Sequence, residues 1–150
     1  MSATPSLSDL RVTCESCRAV LEALLGNVLL DVPLSHRIAG SCLYGCVLLS
    51  LAIQKFTGAD ATICGGDGTG DGGLLDPNGG MQGHYWVEGV LPQAGLEFVA
   101  DITADQFGYA AVVVVPKRDA PQYIRGNQAR VDAHVRQEFG AIAASRGKAD

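Results

Sequence analysis

The chain lacks a basic cluster: no group larger than Lys117-Arg118 occurs, and 16 acidic against 11 basic side chains leave a net charge of -5. Phosphate-backbone binding therefore has no electrostatic footprint, and nucleic acid is excluded as the expected partner. Long apolar runs are also missing. The longest, Cys46 to Ile53, is interrupted by Ser50 and falls far short of the roughly 20 residues of a membrane-spanning helix, so no membrane partner is expected. The N-terminal MSATPSLSDLRVTCESC has no basic segment followed by an apolar stretch, which makes the cytoplasm the expected compartment, with signal-independent export open. Charge is scarce at 18%, yet 47% of the 150 residues are hydrophobic, enough for one core of ordinary domain size and too much for intrinsic disorder. Neither an internal repeat nor a dividing linker is present, so residues 1–150 read as a single domain.

Five cysteines cannot pair completely within one chain, and without a secretory signal they are expected as thiols, metal ligands or a nucleophile. Leu10, Cys14, Cys17, Leu21 and Leu24 recur at helical intervals after Ser8, which predicts a helix over about 9–25 capped by Ser8 and stopped by Gly26. After Gly40-Ser41, the run CLYGCVLLSLAIQKF predicts an apolar helix ending near Gly58, with Ser41 as N-cap and Cys42 in the first turn. Short strands follow at 61–64, 84–91, 96–101 and 110–115, the last carrying four valines as if buried on both faces. Between the first two strands, residues 65–83 hold 9 of the 19 glycines and read as a mobile loop that could close as a lid. Its Asp67, Thr69, Asp71 and Gly72 imitate half of a calcium loop, but Asn78 stands where a bidentate glutamate belongs. Val131, Val135, Phe139 and Ile142 mark a last helix over about 128–145. The fold class expected from this order is α+β, with helices packed against an antiparallel sheet.

A thiol at a helix N-terminus is favoured as a thiolate by the unpaired N–H groups there, which singles out Cys42. Of three histidines only His84 opens a strand, in GHYWVEG, where a sheet can aim it at a thiol; His36 and His134 read as surface residues. A hairpin through Pro92–Gly95 that pairs Leu91 with Leu96 puts His84 and Asp101 on one face as diagonal neighbours. Asp101 can then orient the imidazole, whereas Asp105 lies past the strand and is expected to bind backbone N–H groups. Tyr85 and Trp86 alternate across the strand, one for the core and one for a cleft.

The order GSC at a helix start, then GHYWVE, then FVADITADQF resembles the cysteine, histidine and aspartate segments of transglutaminase-like proteins, over about residues 38–109. The resemblance implies a papain-like fold and a covalent thioester on the cysteine, with Cys42 as nucleophile, His84 as acid/base and Asp101 as orienting residue. It implies a hydrolase of amide bonds, a peptidase or protein-glutamine deamidase acting on a protein or peptide, with transglutaminase-type acyl transfer as the alternative. No cofactor or metal is called for. Gln82, next to His84, is the candidate for an oxyanion donor beside the Cys42 N–H, and Trp86 the candidate for the substrate cleft. A different class of protein is also written in these residues: Cys14, Cys17, Cys42 and Cys46 have the spacing of a structural zinc site in a non-catalytic binding domain, set against the simpler role of small core hydrophobes.

Overall fold

The computed structural model describes residues 5–28, 42–92 and 94–149, and the side chains of these except 26–28 and 139–149. Ser41 and His36, and the N-cap expected at Ser41, lie outside the described residues. Helix α1 spans Leu7–Val28. Its cap is Ser6 in place of Ser8, because Asp9 stands three residues on: Ser6 N donates to Asp9 Oδ2 at 2.9 Å and Asp9 N to Ser6 Oγ at 3.3 Å, a reciprocal box that Ser8 cannot form. The helix also runs past Gly26. Leu10, Cys14, Cys17 and Leu21 are buried as their spacing requires, whereas Leu24 is 56% exposed.

Helix α2, Cys42–Thr57, buries Cys46, Leu49 and Ile53 and ends where Gly58 takes a positive φ of 69°. Four strands form the main antiparallel sheet: β1 Asp60–Gly66, β4 His84–Leu91, β5 Leu96–Asp101 and β6 Val113–Pro116, in the order β1-β4-β5-β6. Leu91 pairs with Leu96 and Val87 with Ala100, the register expected from the four-residue connection, whose Gly95 supplies φ 59° and bonds back to the Leu91 carbonyl at 3.0 Å. The valine-rich β6 is an edge strand, shorter than expected, with only Val114 fully buried. It nevertheless meets apolar groups on both faces: Val112 and Val114 join the helix-side core, Val113 and Val115 the opposite one.

The Gly-rich segment is more organised than a mobile loop. It contains β2 Gly73–Leu75 and β3 Met81–Gln82, which with β7 Tyr123–Ile124 make a second antiparallel sheet in the order β3-β2-β7. Asp67 Oδ1 accepts from Thr69 N at 2.8 Å and Asp71 N at 3.1 Å, and Asp76 Oδ1 accepts from Asn78 N and Gly80 N, both at 2.9 Å. These carboxylates replace the backbone partners that so short a pair of strands cannot supply.

Strand alternation divides the main sheet into two faces. Ile63, Val87, Phe98 and Ala100 pack with α1 and α2, while Cys64, Trp86 and Val99 pack with Leu74 and Tyr123 of the small sheet. Burying one side chain such as Phe98 or Leu49 contributes on the order of 2 kcal/mol, so the two clusters fix the sheet between its covers. Helix α3, Gln128–Ala149, buries Val131 and half-buries Val135; Phe139 and Ile142, expected on the same face, have side chains outside the described set. The architecture is α+β, with three helices and antiparallel sheets among the described residues. No helix among the described residues is long and apolar enough to cross a membrane.

Candidate active site

His84 begins β4 and Asp101 ends β5, just past the last ladder pair, so strand alternation turns both to the Trp86 face of the sheet. His84 Nε2 lies 2.7 Å from Asp101 Oδ2, with His84 2% and Asp101 1% exposed. The carboxylate is held from three further directions. Tyr123 OH donates to Oδ2 at 2.8 Å, and Thr103 donates to Oδ1 through its backbone N at 2.9 Å and its hydroxyl at 3.4 Å. Hydrogen bonds thus satisfy both oxygens of this buried carboxylate.

Cys42 occupies the first position of α2 and is half-buried. Its thiol lies near enough to His84 to help raise the imidazole's pKa, and with Nε2 taken by Asp101, Nδ1 is the nitrogen that remains to serve it. Burial pulls the imidazole's pKa down, but the Asp101 charge, the hydrogen bonds to Asp101 and Cys42, and the charge of Cys42 outweigh it and raise the pKa to about 9. The ring is wedged by Phe107, edge-on with centroids 5.1 Å apart, and by Trp86 at 6.3 Å. Aromatic walls keep water from competing for the two nitrogens.

The other four thiols are in different surroundings. Cys14, Cys17, Cys46 and Cys64 are buried, and burial pushes each thiol up, to about 12 at Cys14 and Cys64 and well above the ordinary value at Cys46. Among the described residues no three His, Cys, Asp or Glu side chains form a group that could hold a metal; Cys14 and Cys17 sit in the apolar stripe of α1. The sequence spacing that suggests zinc is the spacing of a helix face.

Two cleft assignments need correction. Trp86 is fully buried, donates Nε1 to Glu88 Oε2 at 2.8 Å and meets Tyr123 edge-on at 5.2 Å, because the observed register turns its face toward the small sheet. The aromatic on the opposite face is Tyr85, half-buried, close enough to Cys42 for the sulfur's charge to raise its pKa after burial has done so. Gly65 makes room for it: a Cβ there would lie 2.7 Å from Tyr85 Cδ1. Gln82 also differs from expectation. Its amide donates to Asp76 Oδ2 at 2.9 Å and its backbone pairs with Leu74, so the amide is engaged within the Gly-rich segment.

The amide that does reach the imidazole is Gln106, on the 3-10 turn Ala104–Phe107, with Nε2 at 3.4 Å from His84 Nδ1 and 3.0 Å from the Thr103 carbonyl. Asp105, in the same turn, differs from the expectation that it binds backbone N–H groups; among the described residues it instead takes both Nη atoms of Arg18 at 2.8 Å, tying the turn to α1. His134 is exposed as expected, yet its Nδ1 is 2.5 Å from Tyr85 OH. Gln106 had a local signal, lying one turn beyond Asp101 in DITADQ. Tyr123 had none, since it arrives from β7, 22 residues further on. The chain matches no protein-family model, no curated protein and no solved structure.

Proposed function

We propose that this protein is a cysteine-dependent hydrolase of amide bonds with a papain-like, transglutaminase-like core, acting on a protein or peptide through a thioester on Cys42. One observation carries the proposal: a buried imidazole has a hydrogen-bonded carboxylate on Nε2, and the thiol that opens α2 stands close enough to raise its pKa. That is the order nucleophile, base, orienter that activates a weak nucleophile.

In this scheme the Cys42 proton rests on Nδ1 of His84, leaving a thiolate, and the imidazolium is stabilised by Asp101 across the 2.7 Å contact. Sulfur attacks the amide carbonyl, forming the C–S bond; as the C–N bond breaks, Nδ1 returns the proton to the leaving amine. Water, deprotonated by the same nitrogen, then attacks the thioester and restores the thiol. The developing oxyanion faces the first turn of α2, where unpaired N–H groups and the helix dipole favour negative charge. Tyr123 and Thr103 hold Asp101 in place and touch no reacting atom.

A peptide-amide electrophile, such as a glutamine-bearing acyloxymethyl ketone, tests the proposal when the modified residue is located by mass mapping. Stoichiometric alkylation of Cys42, lost in Asp101→Asn, is expected. Modification spread over several cysteines, or unchanged in that variant, contradicts it.

A further inference from the structure

The segment Asp101–Gln106 touches His84 from both sides. Asp101 takes Nε2 at 2.7 Å, and Gln106 Nε2 lies 3.4 Å from Nδ1. The orientation of the Gln106 amide is set by a neighbour that can only accept: the Thr103 carbonyl, 3.0 Å from the same nitrogen. The NH₂ group therefore faces the imidazole as a donor, and a donor is matched only by an unprotonated Nδ1. Thr103 in turn donates its backbone N to Asp101 Oδ1 at 2.9 Å, so the amide and the carboxylate are braced by one residue.

We propose that Gln106 is a positioning residue that holds Nδ1 of His84 as a proton acceptor facing Cys42, opposing the pull that Asp101 exerts toward the imidazolium. The inference rests on the reading of His84 as the base for Cys42. When Nδ1 carries the thiol proton, two N–H groups point at each other across the Gln106 contact, so the imidazolium is less stable than Asp101 alone makes it. The proton is thereby easier to return to the leaving amine. Asp101 is the charged side chain bonded to the ring, Cys42 is the titratable group beside it, Tyr123 faces it through Asp101, and the remaining close neighbours, Gln106, Phe107 and Trp86, carry no charge.

The test uses the full chain and two variants, Gln106→Ala and Gln106→Glu, with the His84 imidazole titrated by NMR of ¹⁵N-histidine-labelled protein. Removing the opposing donor should raise the pKa of His84 by a few tenths of a unit, and replacing it by a carboxylate should raise it by about one unit or more. The alkaline limb of the Cys42 alkylation profile should move up in the same order, a shift that mere loosening of the turn does not produce. A His84 pKa that falls or stays fixed in both variants overturns the inference while leaving the thiol chemistry standing. A His84 titration that responds to Gln106, with Cys42 no more reactive than the buried thiols, overturns both, because the imidazole then serves no nucleophile.

Discussion

His84 and Glu88 stand four residues apart on the same face of β4, and each is an ionisable group taken almost wholly out of water. Glu88 is met by Lys117 Nζ and Arg125 Nη2, both at 3.0 Å, and by Trp86 Nε1 at 2.8 Å. Burial pushes its carboxyl up, but the hydrogen bonds from Trp86, Arg125 and Lys117 outweigh burial and bring it below the ordinary value. Asp101 instead receives two hydroxyls, one backbone N–H and an imidazole, and no permanent cation. The difference separates structure from chemistry. Fixed cations close the Glu88 site to any proton exchange near neutrality, whereas the His84 site holds a partner whose charge changes with pH and with the thiol beside it.

The comparison is broken most sharply by Asp101→Asn, which keeps shape but removes the charge that orients and stabilises the imidazolium. Turnover of an amide substrate should fall by a factor on the order of 10⁴, as for the equivalent change in a serine-protease triad, with the far-UV circular dichroism unchanged. Glu88→Gln should do the reverse. It leaves Lys117 and Arg125 facing a neutral amide, and because both are partly exposed the loss of stability should be about 2 kcal/mol, below the 3–5 of a fully buried pair. Chemical denaturation measures it, and the labelling order of the cysteines should not change.

Stability should also carry the signature of His84 as pH rises. Its folded pKa, about 9, is above the ordinary 6.5, so the native state binds the proton more tightly and this contribution is complete below pH 6.5 and lost on rising through about 9. Melting temperature should decline across that window, and Asp101→Asn should flatten the decline. The buried thiols Cys14 and Cys64, raised from 9.0 to about 12, add a loss of the same sign only above pH 9. The smallest effect belongs to Asp105→Asn, which weakens the two contacts with Arg18 at 2.8 Å; about 1 kcal/mol of stability should go, with activity nearly intact.

What could be read from the sequence followed from local rules. A four-residue connection between Leu91 and Leu96 fixes which residues oppose, and once that is fixed His84 and Asp101 must share a face. The apolar spacing of α1 places Cys14 and Cys17 on the helix face that the core takes up. What escaped depends on partners distant in the chain. The three residues of β2 lie between the two-residue β3 and Tyr123–Ile124, which pairs with them from some 50 positions away, so in the sequence their glycines read as a loop. Trp86 and Tyr85 could not be assigned to core or cleft without the small sheet that covers one of them. Gln106 lies close to Asp101 in the sequence, but the orientation of its amide comes from the Thr103 carbonyl, and side-chain patterns carry no record of backbone acceptors.

The central claim is that five thiols of one chain are divided into one activated by its surroundings and four suppressed by theirs. Limited iodoacetamide labelling at pH 6 to 7, quenched early and mapped by mass spectrometry, tests it most directly. Cys42 should be alkylated well before Cys14, Cys17, Cys46 and Cys64, because it is half-buried at a helix start beside a protonated imidazole while the others are sealed in apolar cores. Labelling of any of those four ahead of Cys42 contradicts the assignment of the nucleophile.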